Sequence, residues 1–574
     1  LRMHSATLDQ ARAILQQRFG YPDFRPGQID VIASVLGGSD TLAVLPTGGG
    51  KSLCYQVPAL ALPGLTVVVS PLIALMKDQV DRLVARGVPA AFLNSTLDPD
   101  EVASRLARAE SGDLKLLYLA PERIEGPDVI RRLCRNGVRL LAVDEAHCIS
   151  EWGHEFRPSF RRIAQASEAL GRPQVIALTA TATPAVRRDI AIQLRLREPR
   201  VIVKGFDRGN LDYAVHGCAD ETLKDEALVR VLRAHASPAI VYAPTRVAVE
   251  RLASRLRRAG RRALAYHGGL DDAVRQETQE AFMCDRIDTI TATNAFGMGI
   301  DKPDVRLVLH YAMPSTLEAY YQEAGRAGRD GAPAHCVLLH HPRDRLTHEW
   351  FIRGTFPPRS VVEEVMTALQ RLRAGSEVLV SAAGVSRACK AVDVRSAQAV
   401  LALLVREGVL QRPEFDSNVW IRLLATPARI RRELGADAVE VEVLRAVWRV
   451  GRDALQRGMV VDLHRLPSRL RGRPARRLLE SLRDHQFVDI AAADPGLKLT
   501  QPGAPLDAGQ LDWRSLERRR EAEIHKLDMM ERYATSAVCR RSFVLGYFGE
   551  RTDVACRQGC DNCRASSRPN ASTA

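Results

Sequence analysis

Between about residues 40 and 340, short runs of aliphatic and β-branched residues alternate with stretches of helical periodicity. This alternation constrains the fold more than any other feature of the chain. The first set of runs covers 41–45, 65–70, 115–120, 140–143 and 175–179. The second covers 239–242, 263–266, 288–292 and 305–310. Their apolar continuity fits strands buried on both faces, as in a parallel sheet covered by helices. Residues 195–210 lie between the sets and read as the joint. The expected fold class is α/β, with two tandem doubly wound parallel-sheet domains over 1–205 and 206–354.

After about residue 360 the pattern turns mainly helical. Residues 360–424 read as helices followed by a short ribbon at 408–424, and 436–500 repeat that order with a ribbon at 487–499. Each loosely resembles a winged-helix unit, which places two such units at 355–430 and 431–505. A long charged helix over 513–533 leads into clustered cysteines, giving a terminal hairpin at 506–564 and a polar tail, 565–574, expected to be disordered.

The chain has 574 residues, enough for about four domains. No run of 18 or more apolar residues occurs, which excludes a membrane-spanning helix of ordinary length. Residues 1–10 lack a basic-then-apolar signal, and a cytoplasmic protein is expected. The net charge of +14 favours a polyanionic partner, most simply nucleic acid. Only 9 of the 82 basic residues are Lys, a bias that a GC-rich genome also produces.

Leu45-Pro46-Thr47-Gly48-Gly49-Gly50-Lys51-Ser52 follows one expected strand and opens a helix. Its glycines let backbone N–H groups cradle phosphates; Lys51 can neutralise β- and γ-phosphate charge, and Ser52 can ligate Mg²⁺. Downstream, Val143-Asp144-Glu145-Ala146-His147 ends another strand. Asp144 can hold Mg²⁺ through water and Glu145 can polarise the attacking water. The two together make an ATPase the expected chemistry.

The phosphate loop departs from the strict pattern, with Leu45 where Gly is usual, and the variant is similar to that of superfamily 2 helicases. Further runs resemble the RecQ family of DNA helicases over about residues 10–350. They are Phe19-Gly20-Tyr21 with Phe24-Arg25-Pro26-Gly27-Gln28; Ser70-Pro71-Leu72-Ile73-Ala74-Leu75-Met76-Lys77-Asp78-Gln79; and Asp144 through Pro158, which includes Trp152-Gly153-His154-Glu155-Phe156-Arg157. Thr179-Ala180-Thr181, His267-Gly268-Gly269-Leu270, the segment from Ala292 to Pro303 and Tyr321-Gln322-Glu323-Ala324-Gly325-Arg326-Ala327-Gly328-Arg329 continue the series.

The resemblance implies RecA-like domains, ATP and Mg²⁺ as cofactors, and these roles. Gln28 reads the adenine edge and Arg25 lies against the base. Thr47, Gly48, Gly49, Gly50, Lys51, Ser52 and Asp301 hold the nucleotide. Lys51, Asp144, Glu145, Gln322, Arg326 and Arg329 serve catalysis, with Arg329 as the arginine finger. Lys77, Trp152, His154, Phe156, Arg157 and Asn294 touch DNA. Trp152 and Phe156 can stack on bases, at roughly 1–3 kcal/mol per base, or fill a core. Arg326 and Arg329 are i, i+3 neighbours that can share a helical face turned to the cleft or to solvent.

Seven cysteines are scattered, and four cluster at Cys539, Cys556, Cys560 and Cys563. Four thiolates suit tetrahedral, structural Zn²⁺; a disulfide is disfavoured in a reducing compartment. Cys539-Arg540-Arg541, Tyr547-Phe548-Gly549-Glu550 and Cys560-Asp561-Asn562-Cys563 also resemble RecQ. Two departures stand out. Three residues, not the family's usual two, separate Cys556 from Cys560, and Gly559 can absorb the extra one. About 160 residues, roughly 355–515, separate the hairpin from the helicase core, where the family usually has none. In that segment Arg465, Arg469, Arg471, Arg473, Arg476 and Arg477 fit either phosphate contacts or a solvated helix surface.

The expected function is an ATP-dependent helicase moving 3′-to-5′ on single-stranded DNA and unwinding duplex, forked or junction DNA in repair and recombination. The expected partners are that DNA and single-strand-binding or recombination proteins; the expected protein is a nucleoid-associated monomer with no membrane attachment. The alternatives are a DNA-stimulated translocase without strand separation, an RNA-remodelling superfamily 2 ATPase, and a junction-binding scaffold with a vestigial ATPase.

Overall fold

The computed structural model describes residues 7–46, 48–71, 73–94, 97–124, 126–153, 156–235, 238–297, 302–372, 377–378, 382–411, 418–434, 438–463, 466–467, 470, 473–492, 497–500, 506–550, 556 and 559–566. Thr47, His154, Asp301, Arg465, Arg469 and Arg471 lie outside the described residues. The chain divides into two compact units, 1–349 with 521–574, and 350–520.

The first unit holds two parallel sheets. One contains β1 (Thr41–Val44), β2 (Leu65–Val69), β3 (Ala90–Leu93), β4 (Leu116–Leu119), β5 (Val138–Val143), β6 (Gln174–Thr179) and β7 (Arg200–Val203). Their order is β3-β4-β2-β5-β6-β1-β7. Strands β1, β2, β4 and β6 are buried along their whole length, which explains their unbroken apolar character. The other sheet contains β8 (Leu211–Gly217), β9 (Ala239–Tyr242), β10 (Ala263–Tyr266), β11 (Thr289–Ala292), β12 (Leu307–His310) and β13 (Ala334–His340), in the order β10-β11-β9-β12-β13-β8.

The expected joint contains a strand. β7 pairs in parallel with β1 from Thr41–Arg200 to Val44–Val203. Buried Asp40 fixes this edge, accepting from Val175 N at 2.9 Å and Arg197 N at 2.8 Å. β7 escapes the apolar-run criterion because it is an edge strand, half-buried at best.

The second unit departs from two consecutive winged-helix-like units. Its strands are β14 (Glu377–Val378), β15 (Leu410–Gln411), β16 (Asn418–Leu423), β17 (Met459–Asp462), β18 (Val488–Ala492) and β19 (Leu497–Leu499). The expected ribbon at 487–499 is split between two antiparallel sheets. β18 pairs with β16, whereas β19 pairs with β14 and β15. The apolar cores follow the same division. One joins Val362–Leu410 residues to Leu497, Leu506 and Leu516; the other runs from Val419 to Val488. The second core is therefore nested within the first, and 430/431 does not separate them. The sequence repeat matched element order, while partner choice was set by which strand could complete which core.

The terminal segment is helical, with Trp513–Thr535, Arg540–Tyr547 and Asp561–Ser566. Ala565 and Ser566 thus end a helix rather than begin a disordered tail.

Candidate nucleotide cleft and zinc centre

In each parallel sheet the carboxyl ends of the strands share one edge, and loops there build sites. At that edge of the first sheet lie the phosphate loop after β1 and Asp144-Glu145 after β5. Gly50, at φ +73°, is required: a Cβ would stand 2.3 Å from Gln28 Nε2. The Gln28 amide donates to the Gly49 and Gly50 carbonyls at 3.2 and 3.0 Å, and its oxygen accepts from Arg25 N at 2.8 Å. Arg25 also donates to the Gly48 carbonyl. Both residues expected at the adenine thus grip the loop itself.

A cavity of about 400 Å³ gathers most of the expected nucleotide set. Arg25, Gln28, Gly48, Gly50, Lys51, Ser52, Asp144 and Glu145 line it from the first domain, and Gln322, Arg326 and Arg329 from the second. Gly49 stands in the same loop. A Cβ on Gly48 would lie 3.3 Å from Arg329 Cγ, so this arginine lies directly against the phosphate loop. Arg326 is 5% exposed. The two arginines do not share a helical face. The helix Leu317–Ala324 ends at Gly325, and Gly328 takes φ +55°, so both arginines sit on turns that aim them inward.

Glu145 has φ +48°, an uncommon conformation for a residue with a side chain, at the junction of β5 with the turn Ala146–Ile149. Burial and the neighbouring Glu145 push the Asp144 carboxyl well above its ordinary range, against the opposing pull of Lys51. A buried carboxylate pair short of positive charge, with the Ser52 side chain on the same cavity, fits Mg²⁺, whose charge reverses that shift. His147 Nδ1 lies 3.0 Å from Thr179 Oγ1, joining the turn after β5 to the end of β6.

The structure adds residues to the cleft. Leu75, Asp78, Gln79 and Arg82 of the helix Ile73–Ala85 line the cavity, as does Tyr21. Their spacing, i, i+3, i+4, i+7, marks one helical face and was legible in the sequence; what that face meets was not.

None of the described residues expected at DNA lines this cavity. Trp152 is 41% exposed on its loop. Phe156 packs under the Arg161 guanidinium, 5.0 Å from its ring centre. Arg157 donates to the Pro71 carbonyl at 3.0 Å, tying the aromatic loop to the Ser70-Pro71 segment. Lys77 is exposed and paired with Asp81 at 3.2 Å, and Asn294 is exposed in the turn after β11.

The four clustered thiols lie within 4.8 Å of one another, with Cys539 and Cys560 sulfurs 3.9 Å apart. A tetrahedron with 2.3 Å metal–sulfur bonds has edges of about 3.8 Å, so the set fits Zn²⁺ and is far too open for a disulfide. Its side chains bind it to the second sheet. Buried Arg540 donates to Asp561 at 3.1 Å, and Asp561 accepts from Val215 N at 2.8 Å. Tyr213 N donates to the Gly559 carbonyl at 3.2 Å, giving the extra residue of the spacing a place at the edge of β8. Phe548 stacks on Phe206 with ring centres 4.6 Å apart. The hairpin, distant in sequence, thus packs on the second domain.

Two RecA-like sheets facing one phosphate-loop cavity, with basic turns supplied by the second, define a two-domain phosphate-loop ATPase architecture. Residues 25–190 match the DEAD/DEAH box helicase family, 223–331 the helicase conserved C-terminal domain and 507–564 the RecQ zinc-binding domain. The probable ATP-dependent DNA helicase RecS of Bacillus subtilis is 43% identical over 359 residues, 62% of this chain and 72% of RecS. The ATP-dependent DNA helicase RecQ of the same organism is 47% identical over 347 residues, 60% of this chain and 58% of that protein. The chain belongs to the RecQ family. It spans little more than half the length of the RecQ proteins of Bacillus subtilis and Pasteurella multocida, 58% and 54%. Among solved structures, the DUF1998 helicase MrfA bound to DNA and AMPPNP shares the fold, with TM-score 0.50 and 19% identity over 61% of this chain and 53% of that one.

Proposed function

We propose that this protein is an ATP-dependent DNA helicase that moves 3′-to-5′ on a single strand and unwinds duplex, forked or junction DNA in repair and recombination. The observation that carries the reading is the contact of Arg329 with the phosphate loop, which brings second-domain charge to the place where γ-phosphate charge develops. Lys51 and the loop amides hold the phosphates, Glu145 orients the attacking water, and Arg329, supported by Arg326 and Gln322, stabilises the transition state. Ser52 and Asp144 would hold Mg²⁺, which when bound neutralises charge between the β- and γ-phosphates. Zinc is structural, because four thiolates leave no open position.

Hydrolysis that opens and closes the cleft drives alternating grip on one strand. Trp152 and Phe156 stack on bases, while Arg157, Lys77 and Asn294 serve the backbone. Such contacts read structure rather than sequence. The reading places the protein on nucleoid DNA in the cytoplasm, as a monomer, with single-strand-binding or recombination proteins as partners.

Unwinding of a forked duplex is the test, compared with 3′-tailed and 5′-tailed duplexes in ATP and Mg²⁺. The fork and the 3′-tailed duplex are expected to open, and Glu145→Gln is expected to bind ATP while losing about 10²–10⁴ in turnover. DNA-stimulated hydrolysis without unwinding would make the protein a translocase. Stronger stimulation by RNA than by DNA would overturn the assignment.

A further inference from the structure

The helix Trp513–Thr535 carries a single lysine, Lys526, and buries it to 6% exposure. A buried ammonium needs partners. Lys526 Nζ donates to the Gly153 carbonyl at 2.8 Å and to Glu523 Oε1 at 2.7 Å. Gly153 belongs to the aromatic loop, next to exposed Trp152. A Cβ on Gly153 would stand 2.4 Å from the His147 carbonyl oxygen, so this backbone is pressed onto the turn after β5.

The same helix meets the second domain seven residues on, where the Tyr533 hydroxyl lies 2.9 Å from that of buried Tyr320. Glu318, 2% exposed, opens the helix Leu317–Ala324 that carries Gln322 and leads to Arg326 and Arg329. Burial pushes its carboxyl up, and the charge of Lys526 is the foremost influence holding it down. Its Oε1 accepts the Tyr547 hydroxyl at 2.7 Å, from the helix that follows Cys539. This buried cluster, two helices tied at Tyr533 and Tyr320, therefore touches the aromatic loop through Lys526 and the zinc hairpin through the bond from Tyr547 to Glu318.

We propose that Lys526 is a positioning residue that couples DNA on the aromatic loop to the placement of Arg326 and Arg329 in the nucleotide cleft. This rests on the helicase reading above. A shift of Gly153 either carries Lys526 with it or leaves a buried ammonium without its carbonyl partner. Either outcome is passed along the helix to Tyr533 and across its hydroxyl bond to Tyr320, two residues before Gln322. Nothing in the local sequence marks this lysine, which looks like one more solvated charge on a polar helix.

The test compares the full chain with Lys526→Met, Lys526→Arg and Tyr547→Phe, measuring ATP hydrolysis with and without a single-stranded oligonucleotide, together with zinc content and oligonucleotide affinity. Lys526→Met is expected to keep its zinc, its DNA-free rate and its KM for ATP. Its DNA-stimulated kcat is expected to fall about tenfold, the scale of one lost charge-assisted hydrogen bond. Lys526→Arg is expected to recover part of the stimulation. Tyr547→Phe, which removes only a hydroxyl from the cluster, is expected to lose less, and it decides the matter if Lys526→Met does not fold. Full stimulation in both Lys526→Met and Tyr547→Phe would overturn the proposal, as would a parallel loss of the DNA-free rate. Absence of DNA stimulation in the unaltered protein would instead overturn the helicase reading itself.

Discussion

Among the described residues, the first unit buries Asp144, His147, Glu318, Arg326, Lys526 and Arg540 to 7% exposure or less, whereas residues 350–520 bury no polar or charged side chain to that degree. Buried charge is expensive unless paired, so a fold keeps it where chemistry or coupling requires it. The first unit gathers such groups at the nucleotide cleft, the Lys526 cluster and the zinc hairpin. The second is built from two apolar cores, and its energetics are those of packing.

Substitutions can break this contrast. The largest expected effect is at the cleft: Arg329→Ala should lower ATP turnover by about 10³–10⁵ while leaving thermal stability nearly intact. A small rate loss would move the finger role to Arg326. Leu404, fully buried in the outer core of the second unit, gives the opposite signature. Leu404→Ala should destabilise that unit by about 2–5 kcal/mol, read by calorimetry or hydrogen exchange, and leave ATP turnover unchanged. A matching loss of turnover would show that the packing unit takes part in the chemistry.

The smallest effect is a pH dependence. Burial, with Lys51 and Arg157 nearby, pushes His147 down to about 3 from its ordinary 6.5. The unfolded chain then binds this proton first. The contribution to stability is full above about 6.5 and is lost as pH falls toward 3. At pH 5 the loss should be about 2 kcal/mol relative to His147→Gln, measured as the difference between their unfolding profiles. Parallel profiles would mean that His147 takes up its proton as readily in the folded protein as in the unfolded chain.

The same contrast explains what could be read from the sequence. The phosphate loop, Asp144-Glu145 and the four cysteines were legible because each places its chemistry within a few residues at fixed spacing. Arg326 and Arg329 were legible as residues, but their placement was not, because Gly325 and Gly328 end the helix that the spacing suggested. Lys526 was invisible, since the carbonyl that buries it, Gly153, lies hundreds of residues away. In the second unit β14, β15 and β19 are two or three residues long and carry no period of their own. Their pairing is decided by the cores they close.

The edge of β8 sets a schedule for making this protein. Val215 N and Tyr213 N find Asp561 and Gly559 as their partners, and both arrive only after residues 350–520 have been translated. At 5–20 residues per second the ribosome needs roughly 10–40 s to pass from the second sheet to the hairpin. Throughout that interval the two parallel-sheet domains wait with one sheet edge open to any other strand. The nascent chain therefore depends on timely zinc and on the prompt folding of residues 350–520 as they emerge. Truncation or stalling late in translation should yield aggregates, even though both helicase domains have already been made.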